Sequence, residues 1–177
     1  MTVKDPAYEN KQVYNQFLLS QGVDTTYSYQ LSKNYFDSIS TKNFAINTYK
    51  LKSNATASPI QIRMYNNSGK LINAYEQCFG EIKKIGQLNE FPMKKIEHLP
   101  INYDLQFEND LKLIELPEKE KQVLITKSQS MEYTIVVYYT KWTGWYSKSV
   151  LKELNKYIQK NNPSRILFMK VNTSKKP

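Results

Sequence analysis

Residues 133–147 read YTIVVYYTKWTGWYS, and this stretch carries the strongest fold information in the chain. Its first seven residues, Tyr133–Tyr139, form a nearly continuous apolar run, which is typical of a strand buried on both faces of a sheet. The run leads into an aromatic turn at residues 142–146. From residue 147 to residue 160, apolar side chains recur at helical spacing, and Asn161-Asn162-Pro163 predicts the end of that helix. The stretch therefore predicts a buried strand, an aromatic turn and an amphipathic helix.

The segments around this stretch complete an alternating pattern. Residues 166–171 form a second apolar run and predict another buried strand. Ahead of the stretch, we predict a short strand at residues 111–116 and a helix at residues 118–128, although residues 123–126 could also be a strand. The expected order from residue 111 to residue 171 is thus β, α, β, α, β. Such connections make adjacent strands parallel.

The N-terminal half contains a hairpin signal. Asn66-Asn67-Ser68-Gly69 predicts a tight turn, because Asn and Gly tolerate positive φ. The turn separates predicted strands at residues 60–65 and 71–79. Other expected elements of this half are helices at 12–21, 32–40 and 81–91, a strand at 44–51 and an irregular segment at 92–106.

The turn at residues 142–146 resembles the active-site segment of thioredoxin-like proteins, where a strand ends in Trp-Cys-Gly-Pro-Cys at the start of a helix. In this chain Thr143 stands at the first cysteine position, Trp145 replaces the proline and Tyr146 stands at the second cysteine position. The resemblance implies a thioredoxin-like fold. It also implies no disulfide chemistry, which needs a low-pKa thiolate and a resolving thiol.

Thioredoxin-like domains continue beyond this unit with a strand opened by a cis-proline, a hairpin and a last helix. We expect these pieces upstream, with Pro59 at the cis-proline position and residues 59–91 as the hairpin-helix half. The resemblance thus implies a rearranged α/β domain, a mixed sheet flanked by helices, with an N-terminal helical/β extension. A generic α+β domain, with a parallel βαβ unit beside an antiparallel hairpin, remains the alternative.

The length of 177 residues favours one domain. We expect a flexible arm at residues 1–9 and a single domain at residues 10–177, with residues 92–110 as a connector between its halves 59–91 and 111–171. The arm could serve as a membrane tether. The Tyr-, Asn- and Lys-rich composition resembles that of small lipid-anchored envelope proteins of Bacteroidetes, which favours the bacterial cell envelope or periplasm over the cytoplasm.

The chain is basic, with 25 basic and 16 acidic residues and a formal charge of +9. Nearly all the cations are lysines, since the only arginines are Arg63 and Arg165, and they are spread along the sequence. Base readout favours Arg, so we expect no specific nucleic-acid partner. A solvated lysine surface and a lysine-rich anion binder both stay open. The five glycines form no phosphate-binding motif.

Cysteine and histidine occur once each, as Cys78 and His98. A lone cysteine cannot form an intramolecular disulfide, and one Cys with one His cannot build a structural zinc site. We expect no metal and no cofactor. A reactive thiol at Cys78, with or without His98 as a base, is the enzymatic alternative.

The candidate binding site comprises the turn and the proline expected to face it. In the turn we expect Thr143 to cap the following helix through its hydroxyl. The sequence therefore predicts a non-catalytic binding or scaffold module for an unidentified protein or peptide, with a structural envelope domain as an alternative. The candidate residues are Trp142, Thr143, Gly144, Trp145, Tyr146 and Pro59.

Overall fold

The computed structural model of the protein describes residues 9–32, 60–77 and 105–174. Five strands and four α-helices lie within these ranges, together with two 3₁₀ turns at Lys141–Thr143 and Pro163–Arg165. The elements, in chain order, are α1 (Lys11–Ser20), β1 (Ser28–Gln30), β2 (Ile60–Asn66), β3 (Leu71–Gln77), α2 (Phe107–Lys112), α3 (Glu118–Ser130), β4 (Tyr133–Tyr139), α4 (Trp145–Lys160) and β5 (Ile166–Asn172).

The five strands form one mixed sheet in the order β1-β5-β4-β2-β3. Strand β4 pairs in parallel with β5, from Tyr133 opposite Ile166 to Tyr139 opposite Asn172. On its other side β4 pairs antiparallel with β2, which in turn pairs antiparallel with β3. The prediction of two adjacent parallel strands joined by the helix is therefore confirmed, and the hairpin strands belong to the same sheet.

Helices flank both faces of the sheet, so the α/β class with a mixed sheet is confirmed. On the first face, Ile135 and Val137 of β4 pack with residues of α1 and α4. On the second face, Val136 and Tyr138 pack with residues of α2 and α3. Because alternate side chains of a strand point to opposite faces, β4 is buried on both sides, as its apolar run predicts.

The hairpin turn between β2 and β3 has the predicted character. Gly69 has φ +76°, in the left-handed region that glycine reaches without strain. The side-chain oxygen of Asn66 accepts hydrogen bonds from the backbone N–H groups of Ser68 (3.1 Å) and Lys70 (2.9 Å). These bonds fix the turn that sets the register of the two strands.

The prediction of a strand at residues 111–116 is wrong. Residues 107–112 form helix α2, and Ile114 makes only a single antiparallel bridge to Leu31. Phe107, Leu111 and Ile114 are buried at helical spacing, and the Gln106 N–H donates to Asn109 Oδ1 (2.9 Å) at the start of the helix. The strand alternative for residues 123–126 is also wrong, because α3 runs through them.

The third parallel strand comes instead from the N-terminal region. Strand β1 pairs in parallel with the free side of β5, with Ser28 opposite Lys170. The chain enters it through Tyr27, whose φ is +55° and whose carbonyl oxygen accepts from the Lys170 N–H (3.0 Å). The sequence did not predict this strand, which is three residues long.

The other expected elements agree within two residues wherever they are described. Helix α1 occupies the place expected for residues 12–21, and α4 begins two residues before the expected position 147. Among the described helices, none has the length and apolar character that crossing a bilayer requires. The predictions for residues 1–8, 33–59, 78–104 and 175–177, including Pro59, lie outside the described residues.

Candidate functional site: the aromatic turn

The aromatic turn, residues 142–146, leads from the end of the central strand β4 into helix α4. The chain passes through the 3₁₀ turn and then Gly144, which has φ +60° and ψ −121° and is the N-cap residue of α4. A Cβ atom at Gly144 would meet no atom within 4 Å. Backbone conformation rather than space therefore requires glycine here.

A cluster of buried hydroxyl groups holds the turn against the helix. The hydroxyls of Thr143 and Ser147 lie 2.9 and 2.7 Å from the carbonyl oxygen of Thr140 and 2.6 Å from each other. The Thr140 N–H also points to Ser147 Oγ (3.3 Å). All three residues are buried. These bonds join the end of β4 to the first turn of α4.

The expected capping role of Thr143 is wrong. Gly144 occupies the N-cap position, and no side chain caps the N-terminus of α4. The Thr143 hydroxyl bonds the turn preceding the helix instead of the helix N–H groups. Thr143 is also buried, so the position that holds the first cysteine in the resembled motif carries no accessible side chain here.

Among the described side chains of the turn, Trp145 is the exposed aromatic. It is 42% exposed, and its ring stacks on that of Tyr146 with centroids 4.4 Å apart and an interplanar angle of 27°. Tyr146 is half-buried and packs against the core of the first face. The core thus holds the Tyr146 ring in place, and this ring in turn restricts the Trp145 indole by stacking. The exposed side of the indole is an apolar surface of fixed orientation.

The remaining predicted site residues lie outside the described part of the structure. These are the side chain of Trp142 together with Pro59, Cys78 and His98. A cis bond at Pro59 and a reactive thiol at Cys78 stay predictions. Within residues 9–32, 60–77 and 105–174, no three His, Cys, Asp or Glu side chains converge in a way that could hold a metal ion.

A buried polar cluster lies beside the turn, at the carboxyl ends of the parallel strands. The Glu9 carboxylate accepts from Asn172 Nδ2 (2.7 Å), and the Glu9 N–H donates to Ser174 Oγ (3.2 Å). Gln30 Nε2 donates to the Ser174 carbonyl oxygen (2.9 Å). Burial raises the pKa of the Glu9 carboxyl, although the Asn172 hydrogen bond and the nearby Lys141 act in the opposite direction. We call these four residues, which surround the single carboxylate of Glu9, the carboxylate cluster. The cluster connects the chain before α1 to the end of β5.

A second buried polar group lies on the other face. Arg63 of β2 forms an ion pair with Asp110 of α2, and the Tyr65 hydroxyl donates to Asp110 Oδ2 (2.6 Å). The Arg63 guanidinium also donates to Gln61 Oε1 (2.9 Å) and lies 4.8 Å from the ring centre of Tyr138. Burial and the Asp110 charge raise the pKa of Tyr65 well above its usual range. This network ties the hairpin to α2.

Local sequence could not reveal either network. Glu9 and Asn172 are separated by 163 positions and Arg63 and Asp110 by 47. The hydroxyl cluster is different, because Thr140, Thr143 and Ser147 are near neighbours in the chain. The spacing of these three hydroxyl residues, from the end of a strand to the start of a helix, is a sequence signal that could have identified the hydroxyl cluster.

Comparison with family models, curated proteins and solved structures finds no match to this chain.

Proposed function

We propose that this protein is a non-catalytic thioredoxin-like module that binds a protein or peptide partner through the aromatic turn. The observation that carries the proposal is Trp145, a large aromatic side chain that is exposed and yet held by stacking on Tyr146. Trp is the residue type most enriched among the side chains that dominate binding energy at protein interfaces.

The position of the turn supports a binding role. It follows the carboxyl end of β4, which lies beside the carboxyl end of the parallel strand β5. In open α/β sheets, ligands bind outside the carboxyl ends of the parallel strands. An indole fixed by stacking also loses little freedom on binding, which favours affinity.

The arrangement of strands supports the thioredoxin-like part of the proposal. A rearranged thioredoxin-like sheet requires a parallel pair joined by a helix, with the hairpin added antiparallel to the first strand of that pair. Strands β4 and β5 meet the first requirement, and β2 and β3 meet the second. The Thr143 hydroxyl in the place of a thiol, buried and hydrogen-bonded, supports the non-catalytic part.

A peptide selection tests this proposal. Random 12-residue peptides displayed on phage are selected against the wild-type protein, and the affinities of the enriched peptides are measured for wild type, Trp145→Ala and Val123→Ala. Val123 is the matched control, because it is an apolar side chain, 60% exposed, on helix α3.

We expect Trp145→Ala to weaken binding by about 2 kcal/mol, or roughly thirtyfold, which is typical of a buried aromatic anchor. Val123→Ala should leave the affinity unchanged. Thermal unfolding monitored by circular dichroism checks that both variants are folded. Equal affinity of wild type and folded Trp145→Ala for every enriched peptide would refute the binding role, as would a selection that enriches none.

A further inference from the structure

Helix α4 carries four lysines on one face. Lys148, Lys152, Lys156 and Lys160 recur at every fourth residue, and all four are exposed. At about 1.5 Å per residue, their Cα atoms are spaced at roughly 6 Å along about 18 Å of helix. We call this row the lysine ridge. The buried residues of α4 lie on the opposite side, and Glu153 is the one carboxylate on the helix, paired with Lys156 at 2.7 Å.

On the described helices, the positive charge is concentrated in one of the two layers. Helices α1 and α4, on the first face, carry five lysines and one carboxylate. Helices α2 and α3, on the second face, carry four lysines and four carboxylates. The four described helices thus carry a net formal charge of +4, all of it from α1 and α4, and the lysine ridge supplies most of it.

Helix stability accounts for Lys160, which lies in the last turn, but not for Lys148, Lys152 and Lys156. Like charges four residues apart repel, whereas Glu and Lys at that spacing attract. Lys148 also lies in the first turn of α4, at the positive end of the helix dipole, where an acidic residue would be favoured. Glu153 is the one acidic residue among these lysines, whereas a helix stabilised by its own surface pairs would carry more.

The exposed indole continues the ridge. With about 3.6 residues per turn, Trp145, Lys148 and Lys152 follow one another at spacings of three and four residues, and so share one side of α4. The aromatic ring of Trp145 thus lies at the N-terminal end of the lysine ridge. This surface is convex, because it is the solvent side of a helix.

We propose that the partner bound at the aromatic turn is a protein segment rich in Asp and Glu, which places an apolar side chain on Trp145 and its carboxylates along the lysine ridge. This inference rests on the proposed function and adds the chemistry of the partner. Charge complementarity of this kind accelerates encounter and fixes the register of binding.

Two other polyanions fit the surface less well. Nucleic-acid recognition favours Arg, but the ridge has none: Arg63 is buried with Asp110, and Arg165 pairs with Glu132 at 2.5 Å. Membrane anchoring by Trp requires the ring to enter the lipid interface, whereas the Trp145 ring is stacked against Tyr146 and only 42% exposed. A protein side chain can pack on such a surface without insertion.

Fluorescence anisotropy with a defined probe tests the inference. The probe is a fluorescein-labelled peptide that repeats Glu-Glu-Leu four times, and its Gln-Gln-Leu counterpart is the uncharged control. Binding is measured for wild type, for Lys148→Gln/Lys152→Gln/Lys156→Gln and for Lys112→Gln/Lys119→Gln/Lys121→Gln. The two triple variants lose the same charge, and each set includes one lysine paired with a glutamate.

We expect the ridge variant to bind the acidic probe about tenfold more weakly, since three exposed ion pairs each contribute little. The control variant should change by about twofold at most, through the net charge alone. Equal losses in the two variants, or no binding of the acidic probe to wild type, would overturn the inference. Tighter binding of wild type to phosphatidylserine vesicles or to oligothymidine than to the probe would overturn it as well.

The peptides enriched by phage selection separate the two proposals. If Trp145→Ala weakens their binding and the ridge variant does not, the binding site stands and its acidic partner is refuted. If the ridge variant weakens their binding and Trp145→Ala does not, the role of the aromatic turn is refuted and the ridge alone is the site.

Discussion

Arg63 and Asp110 are fully buried between the sheet and helix α2, where their charges compensate each other. The Tyr65 hydroxyl and Gln61 Oε1 occupy further hydrogen-bonding positions of the pair. Burying two charges costs solvation free energy that their attraction offsets only when the pair is intact. The intact pair is therefore expected to add little net stability over an apolar pair of similar size.

Removing one partner of this pair should be costly. We expect Asp110→Ala to lower the free energy of unfolding by about 3–5 kcal/mol, because Arg63 is left charged and buried. The double variant Arg63→Met/Asp110→Leu should lose less, because it buries no charge. Urea denaturation of wild type and both variants measures the difference. A double variant at least as unstable as Asp110→Ala would contradict this account.

At the scale of elements, the carboxylate cluster connects the segment before α1 to the end of β5. Because burial raises the pKa of Glu9, folding favours its neutral form. Its contribution to stability is therefore fully present below the ordinary pKa of 4.5 and is lost as the pH rises through the raised, folded-state pKa. At neutral pH the charged carboxylate weakens this connection.

Glu9→Gln tests the effect, since Gln keeps the shape and an acceptor oxygen for Asn172. We expect the variant to be more stable than wild type at pH 7 and the difference to shrink at pH 4, where Glu9 is protonated in both states. Urea denaturation at the two pH values provides the measurement. A variant that is less stable by the same amount at both pH values would show that the charge of Glu9 does not matter.

The elements that sequence predicts well are those whose apolar pattern is long. Strands β4 and β5 and helix α4 have continuous or periodic apolar residues, and the Asn66–Gly69 turn has its own backbone chemistry. By contrast, the apolar run at residues 111–116 was too short to distinguish strand from helix, because spacing is ambiguous over one or two turns. Strand β1 forms by pairing with the open side of β5, and the local sequence of β1 has no apolar pattern that predicts this pairing.

The candidate site was predictable in part. The motif located the aromatic turn, but the exposure of Trp145 depends on how Tyr146 packs into the core, which is a tertiary property. Thr143 was misassigned because its spacing to Ser147 permits a hydroxyl cluster as well as a cap. The lysine ridge is present in the sequence as a four-residue repeat, although only the helix shows that it forms a single face.

At the scale of the whole molecule, the sheet lies between two layers whose described helices differ in net charge. The first face combines the aromatic turn, the lysine ridge and the edge of the sheet where the parallel strands end. The second face is electrically balanced on its described helices. Because of this asymmetry we propose that the partner binds on the first face, and this is the central claim to be tested.

Nuclear magnetic resonance tests that claim most directly, because the chain has only two tryptophans and hence two indole N–H signals. Trp145→Phe identifies the signal of Trp145, and the ¹⁵N-labelled wild type is then titrated with the Glu-Glu-Leu peptide. We expect the Trp145 indole signal to shift together with the backbone amides of residues 145–156, while the signals of α3 stay in place. Shifts centred on α3 around Val123, with the Trp145 indole unchanged, would contradict the account.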